Sequence, residues 1–248
     1  MLVAELLVLR EVSALKVRVK FSKNGVMKFV GHLDMMRYFQ KAMRRADIPV
    51  ALTKGYNPHM IMSFASPLGV GLTSDGEYFD VTLSKVVSLE EAMGRLNETM
   101  AEGIGIINMV ELEAKQKTGM AVVAAADYLV FISPMRCSDE LKERVVQFMS
   151  QDRIMICKKT KKSEREVDIK PMICRMEVQR DKGSADVIFL RVATGSAENL
   201  KPELVMQAFA EFYSTSSEQV IEFTRQCSYH RLEVYAEGLT PLDQLGVQ

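Results

Sequence analysis

Residues 16–45, KVRVKFSKNGVMKFVGHLDMMRYFQKAMRR, change their hydrophobic period partway along. Val17, Val19 and Phe21 alternate with Lys16, Arg18 and Lys20, a repeat of two that predicts a half-buried strand. After the turn signal Asn24-Gly25, the residues Leu33, Met36, Phe39 (or Gln40) and Met43 recur at helical spacing. Arg37, Lys41, Arg44 and Arg45 gather on another face of the same helix. A strand followed by an amphipathic helix with a basic back therefore opens the globular part of the chain, near Lys16.

Working outward, strands are predicted at PVALT (49–53), MIMSFA (60–65) and EYFDVTLS (77–84), the last carrying the alternation Phe79, Val81, Leu83. Ser88 followed by Glu91 forms a capping box for the helix LEEAMGRLNETM (89–100). Gly103 ends that helix, and IGIINMVEL (104–112) reads as a closing strand. A connector rich in small and polar residues, EAKQKTGMAVVAAAD (113–127), leads to a second run. There, strands are expected at DYLVFIS (127–133), RIMICKK (153–159), VDIKPMICRMEV (167–178), DVIFLRVAT (186–194) and FTRQCSYHRLEVY (223–235). Helices are expected at SDELKERVVQFMSQ (138–151) and PELVMQAFAEFY (202–213), with Pro202 at the first helical position and a turn at Lys182-Gly183 between two of the strands.

Both halves thus read as strand, helix, two strands, helix, strand, the second with one added strand. The expected fold is α+β: two tandem ferredoxin-like (βαββαβ) units with antiparallel sheets. The expected boundaries are an N-terminal extension at 1–15, a first domain at 16–115 and a second at 125–248.

Composition bounds the function. The chain has 248 residues, 48% of them hydrophobic, and its 32 basic and 32 acidic residues cancel. No global field draws it to nucleic acid or an anionic membrane, so any such role rests on a local patch. Cys137, Cys157, Cys174 and Cys227 show no zinc-like spacing and read as free thiols of a reducing cytoplasm. The apolar start MLVAELLVLREVSAL is broken by Glu5, Arg10 and Glu11, so it reads as neither signal peptide nor membrane span.

The densest motif is KGYNPHMIMSFASPLGVGLTSDGEYFD (54–80). Pro58 fixes its own backbone angle and biases Asn57 towards an extended form, so Tyr56, Asn57 and His59 can be presented together at a strand entrance. The turn suits a ligand or phosphate, or else Asn57 satisfies local backbone groups while His59 packs. His32 lies where a turn becomes a helix, beside Asp34; it caps that end or faces a cleft as an acid or base. The basic helix face could meet phosphates or simply be solvated. Lys158, Lys159, Lys161 and Lys162 of KKTKKSER form a second basic run, expected in a hairpin loop, either as an RNA-grasping arm or as a soluble tip. The Gly-Val-Gly at 69–71 lacks the strand-to-helix context of a phosphate loop, and no metal cluster or Ser-His-Asp order stands out.

The residues His32-Leu33-Asp34, Tyr56-Asn57-Pro58-His59, Ser63-Phe64 with Pro67-Leu68 and Gly71, and Gly76-Glu77-Tyr78 resemble the radical-SAM-linked family, a bacterial domain of unknown function. The resemblance spans roughly residues 16 to 240 and is most specific before residue 112. Met60 stands where that family often carries proline. Members are encoded beside, or fused behind, a radical SAM protein with a cobalamin-type domain, so the resemblance implies a radical SAM partner. The chain has no Cys-x-x-x-Cys-x-x-Cys motif, which implies no cofactor of its own and no radical chemistry by itself.

Two functions from different classes follow. In the first, the chain is an accessory or substrate-recognition protein for a radical SAM enzyme acting on an RNA or ribosome-related substrate. His32, Asp34, Tyr56, Asn57, His59 and Ser63 then form its binding groove. In the second, it is a metal-independent RNA-processing protein with His32 as acid or base and Lys41 or Arg44 holding phosphate. A structural adaptor is the third alternative.

Overall fold

In the computed structural model, residues 14–133, 139–159, 164–180, 186–196 and 198–247 are described. The expected extension at 1–15 therefore lies outside the described residues, save its last two. The fold is α+β with mostly antiparallel pairing. Chain contacts divide it into two units: residues through Val70 with Gly76–Val122 and Thr240–Gln248, and Gly71–Asp75 with Val123–Leu239.

In the first unit, β1 (Leu15–Lys23) leads through a 3-10 turn (Gly25–Phe29) to α1 (His32–Arg45). Then follow β2 (Met62–Phe64), β3 (Thr73–Leu83), α2 (Leu89–Glu98) and β4 (Ile104–Leu112). The strand order is β4, β1, β3, β2, with β1 antiparallel to β4 and β2 antiparallel to β3. Val17, Val19 and Phe21 turn one face of β1 into a core shared with Met35, Phe39 and Met43 of α1 and Leu96 of α2. Phe21, Phe39, Phe64 and Phe79 meet there, with centroids 4.7 Å apart for Phe21–Phe39 and 4.8 Å for Phe39–Phe79. Burying each such side chain contributes about 1.5–3 kcal/mol.

Three expectations are corrected in this unit. PVALT makes only isolated bridges, Val50 with Leu83 and Leu52 with Met60, because the chain turns over at 54–59 before a ladder can build. The inward stripe of α1 is Met35, Phe39, Ala42 and Met43; Leu33, two residues before Met35, points about 160° away from Met35 and is exposed. The other face of β1 is not solvated throughout, since Arg18 is buried.

The connector contains one helical turn, α3 (Gly119–Val122), within the first unit. In the second unit come β5 (Ala125–Ile132), α4 (Asp139–Met149), β6 (Met155–Lys159), β7 (Glu164–Asp168), β8 (Ile173–Arg180) and β9 (Asp186–Ala193). They are followed by α5 (Pro202–Tyr213), α6 (Ser217–Gln226) and β10 (Cys227–Ala236). The order β10, β5, β9, β8 is antiparallel throughout. The first residues of β3 pair in parallel with β10, Thr73 beside His230 and Ser74 beside Arg231. Phe148 of α4 packs at 5.3 Å from Phe209 of α5, and Phe209 at 6.0 Å from Phe223 of α6.

Here too the sequence reading needs correcting. VDIKPMICRMEV is not one strand: a 3-10 turn at Lys170–Met172 splits it, because Pro171 has no N–H for a ladder. What is added is therefore a separate hairpin, β6 with β7. FTRQ belongs to α6, which Ser216 caps by accepting the Gln219 N–H at 3.3 Å. The expected turn at Lys182-Gly183 lies outside the described residues.

Candidate functional site

The turn between residues 53 and 60 is fixed at its base. Thr53 N–H donates to the His59 carbonyl at 2.9 Å, and His59 N–H donates to Thr53 Oγ1 at 3.1 Å. Gly55, at φ +126°, supplies the reversal that other residues resist. Below the turn, Ile61 N–H donates to Ala51 O at 2.9 Å, and Met60 is buried in the core of the unit. A flexible thioether stem thus anchors the turn where the resembled family often carries a ring.

His59 Nδ1 lies 3.1 Å from Thr53 Oγ1 and 3.3 Å from the Asn57 carbonyl. When the Thr53 hydroxyl donates to Nδ1, the proton of the neutral ring sits on the outward Nε2. Lys54, Tyr56, Asn57 and His59 are all exposed, Tyr56 completely.

His32 does not cap α1. Gly31 is the N-cap, its carbonyl accepting Met35 N–H at 2.9 Å, and His32 occupies the first helical position. The imidazole is partly buried and meets the Phe64 ring edge-on, with centroids 5.1 Å apart. Burial lowers its pKa below the ordinary histidine value, which favours the neutral ring. Ser63, beside Phe64 on β2, pairs in register with Asp80. Asp34 complements the helix start and accepts from Arg37 at 3.1 Å, with both side chains exposed. His32 and His59 share no hydrogen bond or ring contact among the described residues.

Several large apolar side chains close to His32 in sequence are exposed. Val26 is 75% exposed, Phe29 66% and Leu33 61%. Val70 is exposed beside Gly31, and Lys28 Nζ stands 5.2 Å from the Phe29 ring centroid.

On the basic face of α1, Arg37 is paired with Asp34, and Arg45 donates to the Thr99 carbonyl at 3.4 Å. Lys41 and Arg44 are exposed and make no hydrogen bond or ion pair among the described residues. Lys158 and Lys159 end β6 and register with Arg165 and Glu164, while Lys161 and Lys162 lie outside the described residues.

Sequence reasoning missed several polar clusters. In the first unit, buried Arg18 donates to Asp80 at 2.7 Å and to the Leu242 carbonyl at 3.1 Å. In the second, His230 Nδ1 lies 2.9 Å from Thr73 Oγ1, and its Nε2 lies 3.3 Å from Asp75. Asp127 accepts from Arg191 through both carboxylate oxygens, at 2.6 and 2.7 Å, and from the Tyr235 hydroxyl at 2.9 Å. The hydrogen bonds from Arg191 to Asp127 raise the arginine pKa, and burial first, then Asp127, pushes Tyr235 up to about 12. These partners lie too far apart in sequence for any spacing to have signalled them.

Cys157 and Cys174 are exposed free thiols. Burial pushes Cys227 up to about 11, which keeps it a thiol. Among the described residues, no three His, Cys, Asp or Glu side chains converge as a metal site. No helix there is long and apolar enough to cross a membrane.

A search of curated proteins found no match. Among solved structures, a chain from the crystal structure of a Cbf5-Nop10-Gar1 complex is 10% identical, with a TM-score of 0.42. The alignment covers 88% of this chain and 48% of that one, so this chain spans about half its length. The family comparison matches residues 16–202, with the first unit's helices and turn and most of the second unit inside the match. The chain accordingly belongs to the family described as uncharacterized protein conserved in bacteria (DUF2344).

Proposed function

We propose that this chain is a substrate-recognition subunit that docks on a radical SAM enzyme and presents an RNA-containing substrate to it. The observation that carries the docking role is the exposure of three large apolar side chains, Val26, Phe29 and Leu33, close to His32 in sequence. Large apolar side chains left together in water mark association surfaces. The resemblance of the His-Leu-Asp and Asn-Pro-His motifs to radical-SAM-linked proteins supplies the class of partner. Lys41 and Arg44 are the cations of α1 available for phosphates. A reducing cytoplasm suits the free thiols of Cys157, Cys174 and Cys227.

The proposal includes the finer fold. Each unit is read as a ferredoxin-like plait, the second with a hairpin inserted after its first helix. Its support is the strand order, in which the first strand lies between the last and the third in both units.

The test is co-purification with the radical SAM protein encoded nearby, before and after RNase. The expected result is an RNase-resistant complex that the Phe29→Ser, Leu33→Ser protein no longer forms. Both side chains are exposed, so that variant keeps the fold. Absence of a wild-type complex, or a complex indifferent to the two substitutions, overturns the docking reading.

A further inference from the structure

We propose that the turn at residues 53–59 is a single-stranded RNA contact in which an unpaired base stacks on Tyr56. The proposal rests on the substrate-recognition reading above and names its ligand class.

Four exposed side chains of different chemistry stand on a turn whose backbone is fixed. The side chains of Lys54, Tyr56 and Asn57 make no hydrogen bond, ion pair or ring contact among the described residues, and the His59 ring uses only Nδ1. An exposed phenol offers a face to any base, and such stacking is tolerant of sequence. The Asn57 amide can both donate and accept, as a base edge requires. The Lys54 ammonium is a donor suited to phosphate oxygens, as is His59 Nε2 when it carries the ring proton.

The Thr53 N–H to His59 carbonyl bond and the His59 N–H to Thr53 Oγ1 bond hold the base of the turn before ligand arrives, so less order is lost on binding. Apart from Gly55 and Pro58, the neighbours of Tyr56 in the turn are polar or cationic. An isolated aromatic among hydrogen-bonding groups fits a nucleotide better than it fits the desolvated pocket of a protein interface.

The experiment uses the full chain alone and a fluorescein-labelled single-stranded RNA of about ten nucleotides, a common site size. Anisotropy is measured over a series of salt concentrations. Tyr56→Ala is expected to weaken binding about tenfold, and Tyr56→Phe to restore it. Lys54→Ala should reduce the salt slope by about 0.7, the share of one phosphate on a single strand.

Equal affinity of Tyr56→Ala and wild type, or no binding by the wild type, overturns the proposal. So does a result in which Tyr56→Ala abolishes co-purification with the radical SAM protein while RNA binding persists, for the turn is then a protein contact. Because RNA binding is read without the partner and docking is read with RNase present, either reading can fail without the other.

Discussion

The Thr53 hydroxyl oxygen lies 3.1 Å from both the backbone nitrogen and Nδ1 of His59, so one short side chain fixes both the path of the turn and the aim of the imidazole. Thr53→Val keeps the shape but removes both contacts. Because the site is open to water, global stability should fall by no more than about 1 kcal/mol. The His59 amide should exchange with solvent markedly faster, and Thr53→Ser should restore its protection in hydrogen-exchange mass spectrometry.

Arg18 and Asp80 present the opposite case. The guanidinium is wholly buried, bonded to both carboxylate oxygens and to the Leu242 carbonyl, and Asp80 also accepts the Gly119 N–H at 2.7 Å. Asp80→Ala leaves a buried cation without its counter-charge and should cost about 3–5 kcal/mol. An Arg18→Met, Asp80→Leu double variant should recover most of that loss in urea unfolding, since removing both charges removes the desolvation cost.

His32 should make stability depend on pH. Partial burial lowers its folded pKa below the unfolded value of about 6.5, so the unfolded chain binds the proton more readily. The contribution is fully present above the unfolded value. It is lost as pH falls through that value towards the lowered, folded one. His32→Gln should therefore lose less stability than wild type between about pH 7.5 and pH 5, a difference measurable by urea titration at each pH.

Gly103 does not close α2, which ends at Glu98 with Thr99 as its cap, but stands at φ +89° in the turn before β4, and its carbonyl accepts Asn24 N–H at 2.7 Å. A Cβ there would lie 2.5 Å from the Asn24 carbonyl oxygen, which is backbone and cannot swing aside. Gly103→Ala should destabilise the chain by about 2 kcal/mol or more, read as a lowered melting temperature.

Local signals in the sequence placed most of the elements. Alternation of Val17, Val19 and Phe21 marks β1, and Ser88, whose oxygen accepts Glu91 N–H at 3.3 Å, marks the start of α2. Pro202 marks α5 in the same way. These features act within a few residues, so they can be read without the rest of the chain. Periodicity was less exact about facing: a stripe through Leu33 and one through Met35 fit the heptad almost equally, and packing against Phe21 and Phe79 selected Met35, Phe39 and Met43.

The sequence alone determined most of the strands and helices, the Tyr56-Asn57-Pro58-His59 turn and the absence of net charge, because each depends on residue type and near neighbours. Tertiary structure decided what those residues touch. It turned Leu33 outward, set His32 against Phe64 without a capping role, tied His59 to Thr53, and joined Arg18 to Asp80 across 62 positions. It also brought His230 beside Thr73 and Asp75 through a parallel pairing of distant strands. Such contacts follow from which strands pair and in what register, and strand pairing is settled by the burial of whole faces rather than by any local pattern.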